Sequence, residues 1–104
     1  MRKAKILRVH FNEGAQFGGK PLHEAIVQKC YDMNIAGATV FRGLEGFGES
    51  AEIHRQHLVG RDQPIVVVIA ESEDRIRDLI PVVEQMMDTG MIAVSDVEVI
   101  RVKR

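Results

Sequence analysis

The residues best suited to chemistry lie where a strand-like run meets glycine. Gly37-Ala38-Thr39-Val40-Phe41 reads as a β-strand, its Thr, Val and Phe following a glycine that can end a helix. Arg42 leads from it into Gly43-Leu44-Glu45-Gly46-Phe47-Gly48. At Gly43, Gly46 and Gly48 the backbone can bend, adopt positive φ or let a ligand approach closely. With the polar residues 49–63 following, this turn suits a small anion and a mobile loop. The plain alternative is a bend at a sheet edge. No Gly-Lys-Ser/Thr follows, so it is not a P-loop, and its context is not that of a dinucleotide fingerprint. Arg42 faces either a cleft or solvent.

Other reactive side chains are sparse. His54 and His57 would share a face if their segment is helical, and two histidines three apart can hold a metal. A further ligand is normally needed and Arg55 stands between them, so ordinary polar loop residues are the simpler reading. Arg8 and His10 are polar on a strand expected inside the sheet. They must pair across a subunit interface or line a ligand cleft, because unpaired burial is costly. Cys30 falls on the apolar stripe of a helix and reads as a core residue. No nucleophile elbow surrounds Ser50, Ser72 or Ser95, and no carboxylate cluster has metal-ligand spacing. The chain is therefore expected not to be an enzyme.

Composition narrows the class. A chain of 104 residues makes one domain, here 1–104, with a modest core. Its net charge of −1 argues against a dedicated nucleic-acid binder. A single cysteine excludes an internal disulfide framework and suits a reducing cytoplasm. No apolar run approaches the ~20 residues that span a bilayer, and the basic start, Met1-Arg2-Lys3-Ala4-Lys5-Ile6, leads into strand alternation and not a signal-peptide core. A soluble cytoplasmic protein is expected, without direct membrane insertion.

The elements that must position these residues follow from periodicity. Along Ala4–Phe11, Leu7, Val9 and Phe11 point one way while Ile6, Arg8 and His10 point the other. The glycines of residues 12–20 mark a loop. Pro21 opens a helix to about Asn34, with Leu22, Ala25, Ile26, Cys30 and Met33 on its apolar stripe; Asn34 and Gly37 supply the exit. After the glycine-rich strand, residues 49–63 leave room for a short helix around 51–58. Pro64–Ala70 is the clearest strand. Ser72 is the expected N-cap of a second helix, with Glu73 and Asp74 favouring its dipole and Ile76, Leu79, Ile80, Val83 and Met86 or Met87 as its stripe. Pro81 should kink it, and Thr89-Gly90 should end it. Met91–Val102 returns to strand character.

The resulting order, β-α-β-β-α-β, is the split arrangement of ferredoxin-like α+β domains: a four-stranded antiparallel sheet with both helices on one face. Yet Ile65–Ile69 is apolar at every position, so this strand wants cover on both sides. A bare apolar sheet face is an association surface, which predicts a homo-oligomer.

Ile35-Ala36-Gly37-Ala38-Thr39-Val40 and Gly46-Phe47-Gly48 resemble the second strand of PII signalling proteins. Val99-Ile100-Arg101-Val102-Lys103 is similar to their last strand, which carries two basic residues two positions apart. The chain more closely resembles the uncharacterised PII-like family of bacteria and archaea. That likeness covers Gly19-Lys20-Pro21-Leu22-His23-Glu24-Ala25, Gly37–Gly43, Gly46–Gly48, Ile53-His54, Pro64–Val68 and Asp96–Ile100. It implies a PII-like trimer with ligand clefts between subunits. The resemblance to PII signalling proteins implies that Thr39 and Gly46-Phe47-Gly48 touch an adenine nucleotide, and that Arg101 and Lys103 reach its phosphates. A hydroxyl, free amides and two cations are sound components of an anion site.

The sequence departs from PII proteins after the second helix. Thr89-Gly90-Met91-Ile92-Ala93 stands where they have Gly-Asp-Gly-Lys, and the loop after Gly48 lacks the modifiable tyrosine, so uridylylation is not expected. The reading is a trimeric PII-like signalling or sensor protein that needs no cofactor. It would bind a small anionic ligand, an adenine nucleotide, through Thr39, Arg42, Gly43, Gly46–Gly48, Arg101, Lys103 and His10. Residues 49–63 would report occupancy to a transporter or enzyme. Two alternatives stand beside it: a divalent-metal-responsive trimer of the cation-tolerance type using His54 and His57, and an enzyme with an unrecognised cleft.

Overall fold

The computed structural model describes residues 1–47, 54–55 and 62–104. Strand β1 (Arg2–Asn12) is followed by helix α1 (Leu22–Asp32), strands β2 (Ala38–Arg42) and β3 (Pro64–Glu71), helix α2 (Glu73–Met86) and strand β4 (Met91–Val99). The four strands form one antiparallel sheet in the order β2-β3-β1-β4. This is the ferredoxin-like βαββαβ plan that the periodicity predicts.

Period-two burial explains the layering. Leu7, Val9 and Phe11 of β1 and Ile65, Val67 and Ile69 of β3 are buried, and the register sets them side by side. Leu22, Ala25, Ile26 and Cys30 of α1 and Ile76, Leu79, Val83 and Met86 of α2 complete the same core. Met33 and Ile80, expected in the stripes, pack partly buried against it. Burial pushes the Cys30 thiol up to about 11, so it stays protonated and acts as a small apolar residue.

The opposite face of the sheet carries Ile6, Arg8 and His10, Thr39 and Phe41, Val66, Val68 and Ala70, and Ala93, Ser95, Val97 and Val99. Its polar insertions are partly satisfied within the face: Arg8 Nη1 donates to Ser95 Oγ at 3.1 Å.

Several local expectations are corrected. The first helix spans Leu22–Asp32 instead of 21–34; Pro21 holds the N-cap position with ψ 135°, and Asn34 makes the left-handed exit at φ 59°. The glycine-marked segment 12–20 contains a small ladder, Gln16–Phe17 with Lys20–Pro21, closed by Gly18 (φ 59°) and Gly19 (φ 79°). Two consecutive positive φ values define the tight hairpin turn that glycine pairs favour. The final strand stops at Val99 instead of 102, because Val99 pairs with Arg2, where β1 begins, and the ladder has no further partner. The short helix expected around 51–58 does not extend through His54–Arg55, whose extended backbone pairs with Glu45–Gly46. Pro81 lies inside helix α2, on an exposed position. Ser72 occupies its N-cap, but its side chain makes no capping bond among the described residues; the Glu71 carboxylate accepts the Ser72 amide instead.

Candidate functional site

The β2–β3 register decides which candidate residues can act together. Ala38 pairs with Ile69 and Arg42 with Ile65, so Thr39 sits toward the end of the sheet where β3 finishes and Arg42 toward the end where it begins. At an extended rise of ~3.3 Å per residue, the two are roughly 10 Å apart along the strand. The proposed site residues therefore divide between two ends of one sheet.

A cavity of about 750 Å³ lies at the Thr39 end. Strand β3 ends at Glu71 opposite Lys5, whereas β1 runs on to Arg2 beside Val99. The gap between the start of β1 and the Ala36–Ala38 turn is the mouth of this cavity, and Ala4, Val68, Ala70 and Val99 give it an apolar lining. Its polar groups are Thr39 and Ser72, the cations Arg2, Lys3 and Arg101, and the carboxylate of Glu71. Thr39 and Arg101, far apart in sequence, are thus brought to one site. Lys103 is exposed and is not among the lining residues.

Glu71 organises the wall. Its Oε1 accepts the Ala36 amide at 2.9 Å and its Oε2 the Ser72 amide at 2.8 Å, tying the α1–β2 turn to the β3–α2 junction. Arg75 Nε lies 3.5 Å from Oε1, while Arg75 Nη2 donates to the carbonyls of Met33 and Asn34 and closes the C-terminal end of α1. Burial alone would raise the Glu71 pKa. The amides of Ser72 and Ala36 and the charges of Arg75 and Arg101 outweigh it and hold the carboxyl below its ordinary range. The sequence reading missed Glu71, because an acid beside Ser72-Glu73-Asp74 looks like ordinary helix-start chemistry. It also passed over Arg2 and Lys3, whose only sequence signal is a basic N-terminal run.

The other end of the sheet is different. Arg42 Nε donates to Glu13 Oε1 at 3.1 Å, and that oxygen is 3.4 Å from the Gln63 amide. Arg42 is therefore engaged in a local ion pair. Gly43 and Gly46 lie over Pro64, and Phe47 is exposed. His10 lies on the open face in a row with Phe41, Val66 and Met91, not in the cavity. Gly48 and His57 lie outside the described residues. His54 stands on the two-residue ladder, which removes the helix face it was expected to share with His57. Among the described residues there is no group of three or more His, Cys, Asp or Glu placed to hold a metal ion.

In a separate pocket that shares Lys3 and Ala4 with this cavity, Lys5 donates to Asp96 and lies 3.5 Å from Glu73. The Asp96 hydrogen bond leads in raising the Lys5 pKa, and the same bond leads in lowering that of Asp96. The pair is exposed and pins β1 to β4 beside Lys3.

The arrangement of two helices on a four-stranded antiparallel sheet defines a ferredoxin-like fold of the PII-like kind. The chain belongs to the DUF190 family, described as uncharacterised ACR, whose model matches residues 4–99. It is similar to a UPF0166 protein of Aquifex aeolicus, 33% identical over 100 residues and covering 94% of each chain. A UPF0166 protein of Methanocaldococcus jannaschii is 29% identical over 104 residues, covering 95% of this chain and 94% of that one. Among solved structures, the fold resembles CPII, a nitrogen regulatory PII-like protein from Thiomonas intermedia K12, bound to ADP, AMP and bicarbonate. The TM-score is 0.69 at 19% identity, over 95% of this chain and 90% of that one. CPII bound to ADP and bicarbonate gives a TM-score of 0.67 at 24% identity, with the same coverage. Among the described residues, no helix is long and apolar enough to cross a membrane.

Proposed function

We propose that this protein is a PII-like sensor that binds an adenine nucleotide in the Thr39–Arg101 cavity and acts as a regulator, not a catalyst. The observation that carries this reading is the convergence of Thr39 and Arg101 with Arg2 and Lys3 around an apolar-lined space of about 750 Å³. Cations recognise phosphate by charge-assisted hydrogen bonds, and the apolar lining suits a base. The fold neighbour that binds ADP and AMP supports the ligand class.

The same reading makes the protein a homo-oligomer, a trimer by likeness to PII proteins, in which copies cover the apolar sheet faces and complete the cavity mouths. Residues 49–63 carry the signal to a transporter or enzyme, and the protein works in the cytoplasm. A ligand can act this way only by binding one conformational state better than another.

Calorimetric titration with ATP, ADP, AMP and cyclic nucleotides, coupled to a mass measurement in solution, tests the proposal. Arg101→Ala is expected to weaken adenine-nucleotide binding about tenfold or more, the scale of a lost charge-assisted contact. Unchanged affinity would remove Arg101 from the site, and no binding by the unmodified protein would overturn the ligand class.

A further inference from the structure

We infer that Glu71 sets how much phosphate charge the cavity accepts, acting as a fixed negative group in a wall otherwise supplied with cations. This rests on the nucleotide reading above and deepens it from ligand class to selectivity among nucleotides.

Glu71 is the sole carboxylate among the described residues that line the cavity, against the cations Arg2, Lys3 and Arg101. It cannot swing away without giving up the Ala36 and Ser72 amides, one on each oxygen. Arg75 touches the carboxylate but is not among the lining residues, and its Nη2 is committed to the carbonyls that end α1. Arg101, which does line the cavity, lies within electrostatic reach of Glu71. A phosphate drawn to Arg101 must therefore approach a carboxylate that stays in place and stays charged at neutral pH.

Each added phosphate charge feels that repulsion again, whereas base and ribose contacts are common to AMP, ADP and ATP. The ratio of ATP to AMP affinity therefore reports the charge balance around the phosphates, free of the base and ribose contacts, and a change at Glu71 alone reads the share of the carboxylate. Glu71→Gln removes the charge and keeps one acceptor oxygen. Ser72→Lys leaves Glu71 and its backbone amide bonds in place and offsets the charge from the next residue, which is exposed and also lines the cavity.

The experiment is calorimetric titration of AMP, ADP and ATP into the full chain in magnesium-free buffer at pH 8, with thermal unfolding of each variant measured alongside. Glu71→Gln and Ser72→Lys are both expected to raise the ATP-to-AMP affinity ratio by about three- to tenfold, the scale of one unit charge acting across a partly solvated cavity. Arg101→Ala moves the ratio the other way. If Glu71→Gln fails to fold, Ser72→Lys still changes the charge of this wall, and an unchanged ratio there overturns the inference.

An unchanged ratio in the variants that fold overturns the inference. So does uniform weakening of all three nucleotides with a lowered Tm, which would leave Glu71 as a strut of the wall and nothing more. Unmodified protein that binds none of the three overturns the nucleotide reading itself, and the two failures are thereby distinguished.

Discussion

Gly43 lies directly against Pro64: its amide donates to the Pro64 carbonyl at 2.7 Å, and a Cβ added at Gly43 would come within 2.6 Å of Pro64 Cγ. The glycine is required by the Pro64 ring, which takes the space a Cβ would need where β2 leaves the sheet and β3 enters it. Gly43→Ala is therefore expected to destabilise the fold by about 1–3 kcal/mol through overpacking. Gly37→Ala, with no atom of the described residues within 4 Å of the added Cβ, should change stability much less. Chemical denaturation of the two variants checks this. Equal stabilities would show that the Gly43–Pro64 contact yields freely.

That contact also shows what the sequence could and could not disclose. Alternation in Leu7, Val9 and Phe11, and the stripes Leu22-Ile26-Cys30 and Ile76-Leu79-Val83, specify a two-layer fold because each pattern has a single buried face. Thr39 and Arg101 could be paired as a site only through resemblance, since their meeting depends on sheet order and on where β3 stops. The glycine-rich turn after Arg42 looked the more reactive feature, yet Gly43 and Gly46 pack over Pro64, and Arg42 pairs with Glu13. Glycine spacing by itself does not tell a ligand's approach from a neighbouring strand's. Glu71 was invisible for the same reason: its partners Ala36 and Arg101 are distant in sequence.

The Glu71 carboxyl is held below its ordinary value of 4.5, so the unfolded chain binds its proton more readily than the folded one. Its contribution to stability is present above that ordinary value and is lost as pH falls through the lower, folded value. Arg75 and Arg101, the charged groups acting on it, stay cationic throughout this range. Thermal unfolding followed from pH 7 to pH 3 should therefore fall more steeply for the unmodified chain than for Glu71→Gln. Asp96, also held low by Lys5, contributes to both curves and cancels in the comparison. Parallel curves would mean that the amides of Ala36 and Ser72 do not favour the charged form.

Val66 and Val67 are neighbours in β3 with opposite environments. Val67 is 0% exposed and packs beneath the helices, whereas Val66 lies on the open face between His10 and Phe41. Glutamate at position 67 would bury an unpaired charge in the core, and Val67→Glu is expected to abolish folding. At position 66 the effect depends on whether another copy covers the face. If the apolar sheet is a subunit interface, Val66→Glu gives a folded chain of monomer mass with native-like circular dichroism, because desolvating the carboxylate now opposes association. It should also weaken nucleotide binding, although residue 66 is not among those lining the cavity, if neighbouring copies complete the cavity mouths as proposed. Light scattering and calorimetry on this one variant therefore test assembly and its link to the ligand together. A Val66→Glu chain that keeps the mass of the unmodified protein would place the interface elsewhere, and a monomer of undiminished affinity would show that one copy holds the whole site.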